Sequence, residues 1–278
     1  YGKRAGFNVL MFEKSAPGGM LQKIDKIQNY PGFSEISGPD LALNLFNQVK
    51  KVGVPFKFEE VIDVEITEEY KKVITKNGTY EAKNIIVATG RTPKYLGLDN
   101  EKDYLGRGLS TCASCDGNFY KGEDVAVVGS GNSALQESLY LANIVNKVYL
   151  LHRGVNFKGD DALVEKVRNT QNIEIVDGVN IKKINEVDGK IESVTLDNEK
   201  TINVKGVFIY IGYKPDTDMF KKLDITNING DIIVGENFET EIDGLYAIGD
   251  CAKKGVYQLV TAASDGCIAV SDIEKIRN

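Results

Sequence analysis

Short apolar, β-branched runs recur at residues 8–12, 84–88, 124–128, 147–151, 206–211 and 244–248, each bounded by polar or glycine-containing stretches. Runs of that length, alternating with longer segments, predict α/β architecture built on a mostly parallel sheet. Between the third and fourth runs, Leu135, Leu139 and Ala142 recur at helical spacing over 133–143, so this region reads as a complete strand-helix-strand unit. A second helix is expected over 39–52, where Leu41, Leu45 and Val49 share a face, Ser37-Gly38 precede and Gly53 stops it. Segments 61–67, 72–75 and 191–196, with polar turns such as Lys76-Asn77-Gly78, predict antiparallel hairpins laid over each domain. Arg91-Thr92-Pro93-Lys94 breaks the pattern after Ala88-Thr89-Gly90 and marks one domain boundary; a second is expected near 223–230. Residues 85–90 and 245–250 echo one another, both apolar strands ending near a small residue and a glycine, where a backbone can approach a ligand closely.

Composition narrows the class. The 278 residues are 42% hydrophobic and 27% charged, which describes a folding chain of roughly two domains at about 100–200 residues each. Lys plus Arg against Asp plus Glu gives 34 − 40 = −6, which argues against nucleic acid as a partner. No run of about 18 apolar residues is present, so no membrane span is expected. The start has two positive charges, but its apolar run stops at Glu13, too soon for a signal peptide. The chain begins at Tyr1 rather than Met, and is expected to continue upstream. Two of the four cysteines stand as Cys112-x-x-Cys115, a spacing that suggests intracellular redox or metal chemistry, with the cytoplasm as the expected compartment. His152 is the single histidine, so any covalent chemistry falls to cysteine.

Three motifs carry chemistry. In Val128-Gly129-Ser130-Gly131-Asn132-Ser133-Ala134 a strand enters a glycine turn and then a helix, the arrangement that binds a dinucleotide pyrophosphate on helix N–H groups. After the next strand come His152-Arg153, with Lys158 further on, a better match to a 2′-phosphate than to ribose hydroxyls; NADPH is therefore expected over NADH, with Asp160-Asp161 as an opposing charge. The second motif is Cys112-Ala113-Ser114-Cys115-Asp116-Gly117. Its thiols can close a disulfide that accepts two electrons and exchanges with another protein's disulfide, Asp116 shuttling the proton. Zinc is the alternative, but it wants about four ligands and the chain has no second such pair. Cys251 and Cys267 are expected to be small buried hydrophobes. The third motif ends the first strand in Glu13, a ribose ligand or else a surface carboxylate, followed by Gly18-Gly19; its glycine turn belongs about 20 residues earlier, before Tyr1.

Together these residues resemble the low-molecular-weight, bacterial-type thioredoxin reductases over essentially the whole chain. The resemblance runs through Gly18-Gly19, Asn29-Tyr30-Pro31-Gly32, Ala88-Thr89-Gly90, Tyr95-Leu96-Gly97, Gly106-Arg107-Gly108, the Cys112 to Gly117 segment, Gly129 to Ala134, His152-Arg153, Ile248-Gly249-Asp250 and 261–267. It implies two Rossmann-like dinucleotide-binding domains of three layers, the second inserted in the first: an FAD domain over 1–92 and 225–278, its first strand and glycine turn lying outside these residues, and an NAD(P) domain over 93–224. It also implies a homodimer acting on thioredoxin. Glu13, Gly18, Gly19, Asn29, Ala88, Thr89, Gly90, Gly249, Asp250 and Gln258 would serve FAD, and Gly129, Gly131, Asn132, Ser133, His152, Arg153 and Lys158 would serve NADP. Cys115 would face the flavin, Cys112 would attack thioredoxin and Asp116 would be the acid, with the inserted domain rotating between two poses. Gly154 and Lys158 replace two of the family's arginines, and Tyr257 replaces the arginine before Gln258. Those departures keep other donors in view (NADH, ferredoxin or a deazaflavin), and a non-catalytic nucleotide-sensing or zinc-stabilised module is the alternative outside enzymes.

Overall fold

The computed structural model describes residues 1–67 and 69–277. The chain divides into two compact units, Tyr1–Thr92 with Lys214–Asn278, and Pro93–Tyr213. Among the described residues the helices are α1 (Gly38–Val52), α2 (Ala113–Asp116), α3 (Asn132–Ala142), α4 (Asp161–Arg168) and α5 (Leu259–Arg277).

The inserted unit is built on a parallel sheet of β1 (Leu109–Ser110), β2 (Asp124–Val128), β3 (Lys147–His152), β4 (Ile173–Asp177) and β5 (Gly206–Ile209), in the order β4-β3-β2-β5-β1. Its apolar runs are unbroken because both faces are covered. Val125, Val127, Leu150 and Phe208 pack with α3 on one side. Ala126, Val128, Leu151 and Ile209 pack on the other against an antiparallel sheet of Ile181–Val187, Lys190–Leu196 and Thr201–Asn203. Three layers result, and β2-α3-β3 is the strand-helix-strand unit expected from the sequence.

The other unit is held by the parallel pair Ile85–Val87 and Leu245–Ala247. Leu245 and Ala247 face one cluster with Val87, while Tyr246, between them, packs on Ala269 and Ile273 of α5. An antiparallel sheet of Val61–Ile66, Lys71–Thr75 and Gly78–Ala82 supplies the expected hairpins. α1 starts where the sequence places it: Ser37 accepts the Asp40 N–H at 3.1 Å, and Gly53 caps the end in the left-handed region.

Two expectations are corrected. The first strand is only Met11–Phe12, because its ladder to Phe56–Lys57 opens with Met11 N–H on Pro55 O, leaving Leu10 without a strand partner. The second crossing between units falls at Lys214, not near 223–230, because Phe220 and Ile225 are buried in the cluster of Val64 and Val87. Cys251 is buried as expected, whereas Cys267 is partly exposed.

Candidate functional site

Strand β1 delivers the chain to Cys112, the extended residue before α2. Four residues of helix bring Cys115 back beside it, with Cα atoms 5.3 Å apart and the two sulfurs bonded as a disulfide. Cys112 is buried and Cys115 exposed. Asp116 follows, its N–H on Cys112 O at 3.1 Å. Two residues that the sequence reading passed over secure this turn. The Ser110 hydroxyl donates to Asp116 Oδ2 at 2.6 Å and accepts the Cys112 N–H at 3.0 Å. The Tyr210 hydroxyl, from the segment after β5, accepts the Ala113 N–H at 2.7 Å. Burial pushes the Tyr210 phenol far up, with the negative charge of Glu137 adding to it, so it stays neutral and hydrogen-bonding. Among the described residues no three His, Cys, Asp or Glu side chains gather as a metal site.

The glycine turn lies in the same unit. Gly129 needs to be glycine for the fold itself: its φ is +152°, and a Cβ there would sit 2.4 Å from Tyr210 O and 2.9 Å from Ala134 Cβ. Gly131, the residue before α3, is different, since a Cβ would meet nothing within 4 Å. The chain's own packing therefore does not demand glycine there, whereas the close approach of a pyrophosphate does. The residues present fit a bound dinucleotide at this turn. Asn132 is engaged with Asp160, whose N–H it accepts at 2.7 Å, and the Lys158 N–H reaches Ser130 O at 2.8 Å, so the loop after β3 is pinned across the turn. Ser133 in the first turn of α3 is exposed, as are the Arg153 and Lys158 side chains. His152 points inward instead, 2% exposed, with Nε2 2.5 Å from Asp177 Oδ1 and its ring against Phe157; Nδ1 has no hydrogen-bond partner.

In the other unit a cavity of about 2600 Å³ is lined by Phe12, Glu13, Val87, Ala88, Thr89 and Ile248. The expected ribose carboxylate Glu13 and the strand end at Ala88-Thr89 thus line the same cavity. Glu13 Oε1 accepts the Ser15 N–H at 3.0 Å. Gly18 caps the short turn Gly19–Lys23. Asn29, far away in sequence, donates to Gln258 Oε1 at 3.1 Å, joining two of the expected flavin contacts. Gly90 O accepts the Asp216 N–H. The Gly249-Asp250 turn is held from two sides: its Gly249 N–H bonds Asp265, which pairs with Lys254 at 2.6 Å, and its Asp250 O accepts Arg91 Nε at 3.0 Å. Arg91 also pairs with Asp231 at 2.7 Å and lies 4.3 Å over the Tyr257 ring. Tyr257, where the family carries arginine, thus stacks a guanidinium supplied from another segment. The residues present fit a flavin dinucleotide, with a carboxylate at Glu13 lining the cavity and an amide pair at Asn29 and Gln258.

Comparison with known proteins bears on both sites. The family described as "Pyridine nucleotide-disulphide oxidoreductase" matches residues 1–266. The chain is similar to the thioredoxin reductase of Bacillus subtilis, at 36% identity over 99% of this chain and 88% of that protein. It is also similar to that of Mycoplasma pneumoniae, at 37% identity over 99% and 90%. Among solved structures, Lactococcus lactis thioredoxin reductase superimposes with a TM-score of 0.88 at 31% identity, covering 99% of this chain and 92% of that one.

Proposed function

The chain belongs to the pyridine nucleotide-disulphide oxidoreductase family, and on that premise we propose that it is a flavin-dependent thioredoxin reductase. The observation that carries the reading is the Cys112–Cys115 disulfide at the end of β1, in the same unit as the Gly129–Ser133 turn. Bound NADPH and FAD supply two electrons as a hydride equivalent; Gly131, Ser133, Arg153 and Lys158 would hold the first, and Glu13, Ala88, Thr89, Asn29, Gly249, Asp250 and Gln258 the second. Arg153 and Lys158 are the two cations suited to a 2′-phosphate, which supports NADPH as donor.

The remaining chemistry belongs to the cysteines. Two electrons break the Cys112–Cys115 bond and leave two thiolates or thiols. The Cys112 thiol passes its proton to Asp116, and the resulting thiolate attacks one sulfur of the thioredoxin disulfide, forming a mixed disulfide and expelling the other sulfur, which takes that proton back from Asp116. The Cys115 thiolate then attacks Cys112 sulfur, expels the second thioredoxin thiol and restores the original disulfide. Because Cys112 is the buried sulfur, the turn must uncover it for the attack. The cysteine usage supports the cytoplasm as its compartment, and the resemblance to bacterial-type reductases supports a homodimer; among the described residues no helix is long and apolar enough to cross a membrane.

The test is anaerobic mixing of the flavin-loaded protein with NADPH, NADH or reduced ferredoxin, following the flavin absorbance. NADPH is expected to bleach it at the lowest concentration. Bleaching by ferredoxin alone would overturn the assignment of donor.

A further inference from the structure

Ser110 is the last residue of β1, buried, and two positions before Cys112. A hydroxyl has one proton to give, and the shortest contact, 2.6 Å to Asp116 Oδ2, claims it; the oxygen's lone pair meanwhile takes the Cys112 N–H at 3.0 Å. One side chain therefore connects the acid to the backbone of the cysteine beside it. Tyr210 holds the same turn by a different atom, the Ala113 N–H. The titratable groups acting on this cluster are Tyr210 and Tyr120, whose phenols burial pushes up with Asp116 adding its charge, and Glu137 of α3, which acts on Tyr210 and Tyr213.

We propose that Ser110 is a positioning residue for proton transfer: its hydroxyl registers the Asp116 carboxyl to the backbone of Cys112, while Tyr210 braces the turn through Ala113. The inference rests on Cys112–Cys115 being the working disulfide. The step it serves is the one in which the thioredoxin sulfur leaves and takes a proton from Asp116. Without the Ser110 hydroxyl the carboxyl loses its fixed direction, and small misplacements of a reacting group are costly in rate.

The experiment uses the full chain, reduced with dithiothreitol, desalted and mixed with oxidised thioredoxin in a stopped-flow between pH 6 and 9. Ser110→Ala is expected to slow exchange about tenfold at pH 7 and to change the shape of the pH profile. In an Asp116→Asn background the same change is expected to cost nothing further, because the two residues act as one unit. Tyr210→Phe is expected to slow exchange by one factor at every pH. Ser110→Thr, which keeps the hydroxyl, is expected to restore the wild-type profile. Thermal midpoints are recorded throughout, and Ser110→Gly takes the place of Ser110→Ala in the cycle should the latter not fold. An equal loss in both backgrounds, or an unmoved pH profile, overturns the proposal. A wild-type dithiol that leaves thioredoxin oxidised overturns the reductase reading instead, and the same cycle run on hydroxyethyl disulfide still decides the role of Ser110.

Discussion

Gly129 and Gly131 show how differently two residues of one motif are constrained. The first is fixed by the protein's own atoms, with Tyr210 O and Ala134 Cβ occupying the space of any side chain; the second faces empty space. Gly131→Ala is therefore expected to keep the wild-type thermal midpoint while weakening NADPH binding at least tenfold by titration, since the methyl stands where phosphate oxygens approach. The same local logic made Cys112, Cys115 and Asp116 legible: spacing along the chain dictates spacing in a single turn. Ser110 and Tyr210 escaped the reading for opposite reasons. Ser110 is adjacent but chemically unremarked, one serine before a threonine. Tyr210 reaches Ala113 across 97 residues, a contact set by the alignment of β5 beside β2 and not by any local pattern.

Elements were readable where apolar spacing had one meaning. β2 falls on residues 124–128 as expected, and α1 carries its own start and stop signals in Ser37 and Gly53. Removing the first of these, Ser37→Ala, is expected to lower unfolding free energy by about 1 kcal/mol in urea titration, because the Asp40 N–H loses its acceptor. α5 gave no such signal. Its sequence is rich in small residues, has Gly266 within it and buries Asp265, so no single apolar stripe marks it out. In the short turn Asp218–Leu223, Lys214 and Lys221 lie 2.8 and 2.7 Å from Asp218 and pull its carboxyl down to about 2. A carboxyl held below its ordinary value stabilises the fold above about pH 4, and that contribution is lost as pH falls toward 2. Both partners are solvent-exposed, which limits the effect to below about 1 kcal/mol. Asp218→Asn is thus expected to be slightly less stable than wild type at pH 6 and equal to it at pH 2; a gap that persists at pH 2 would contradict the pairing.

At the scale of the molecule, the family resemblance implies that one unit is inserted in the other, and the sequence pattern anticipates an α/β chain on a mostly parallel sheet, because buried strands and their crossover helix announce themselves as continuous apolar runs. It misplaces the return to the outer unit, since residues 214–224 look polar and loop-like until Phe220 and Ile225 are seen packed beneath the antiparallel sheet. The two units carry different features: one holds both the Cys112–Cys115 disulfide and the Gly129–Ser133 turn, and the other joins Asn29 to Gln258 across distant segments and lines a cavity with Glu13. Electrons entering at a nicotinamide are then expected to leave through Cys112 and Cys115 and by no other route. The direct measurement is the number of thioredoxin disulfides reduced per NADPH consumed by the flavin-loaded protein, alongside Cys112→Ser and Cys115→Ser. One disulfide per NADPH for wild type, with turnover abolished in both variants, is the result this account predicts; wild-type turnover surviving in either variant would contradict it.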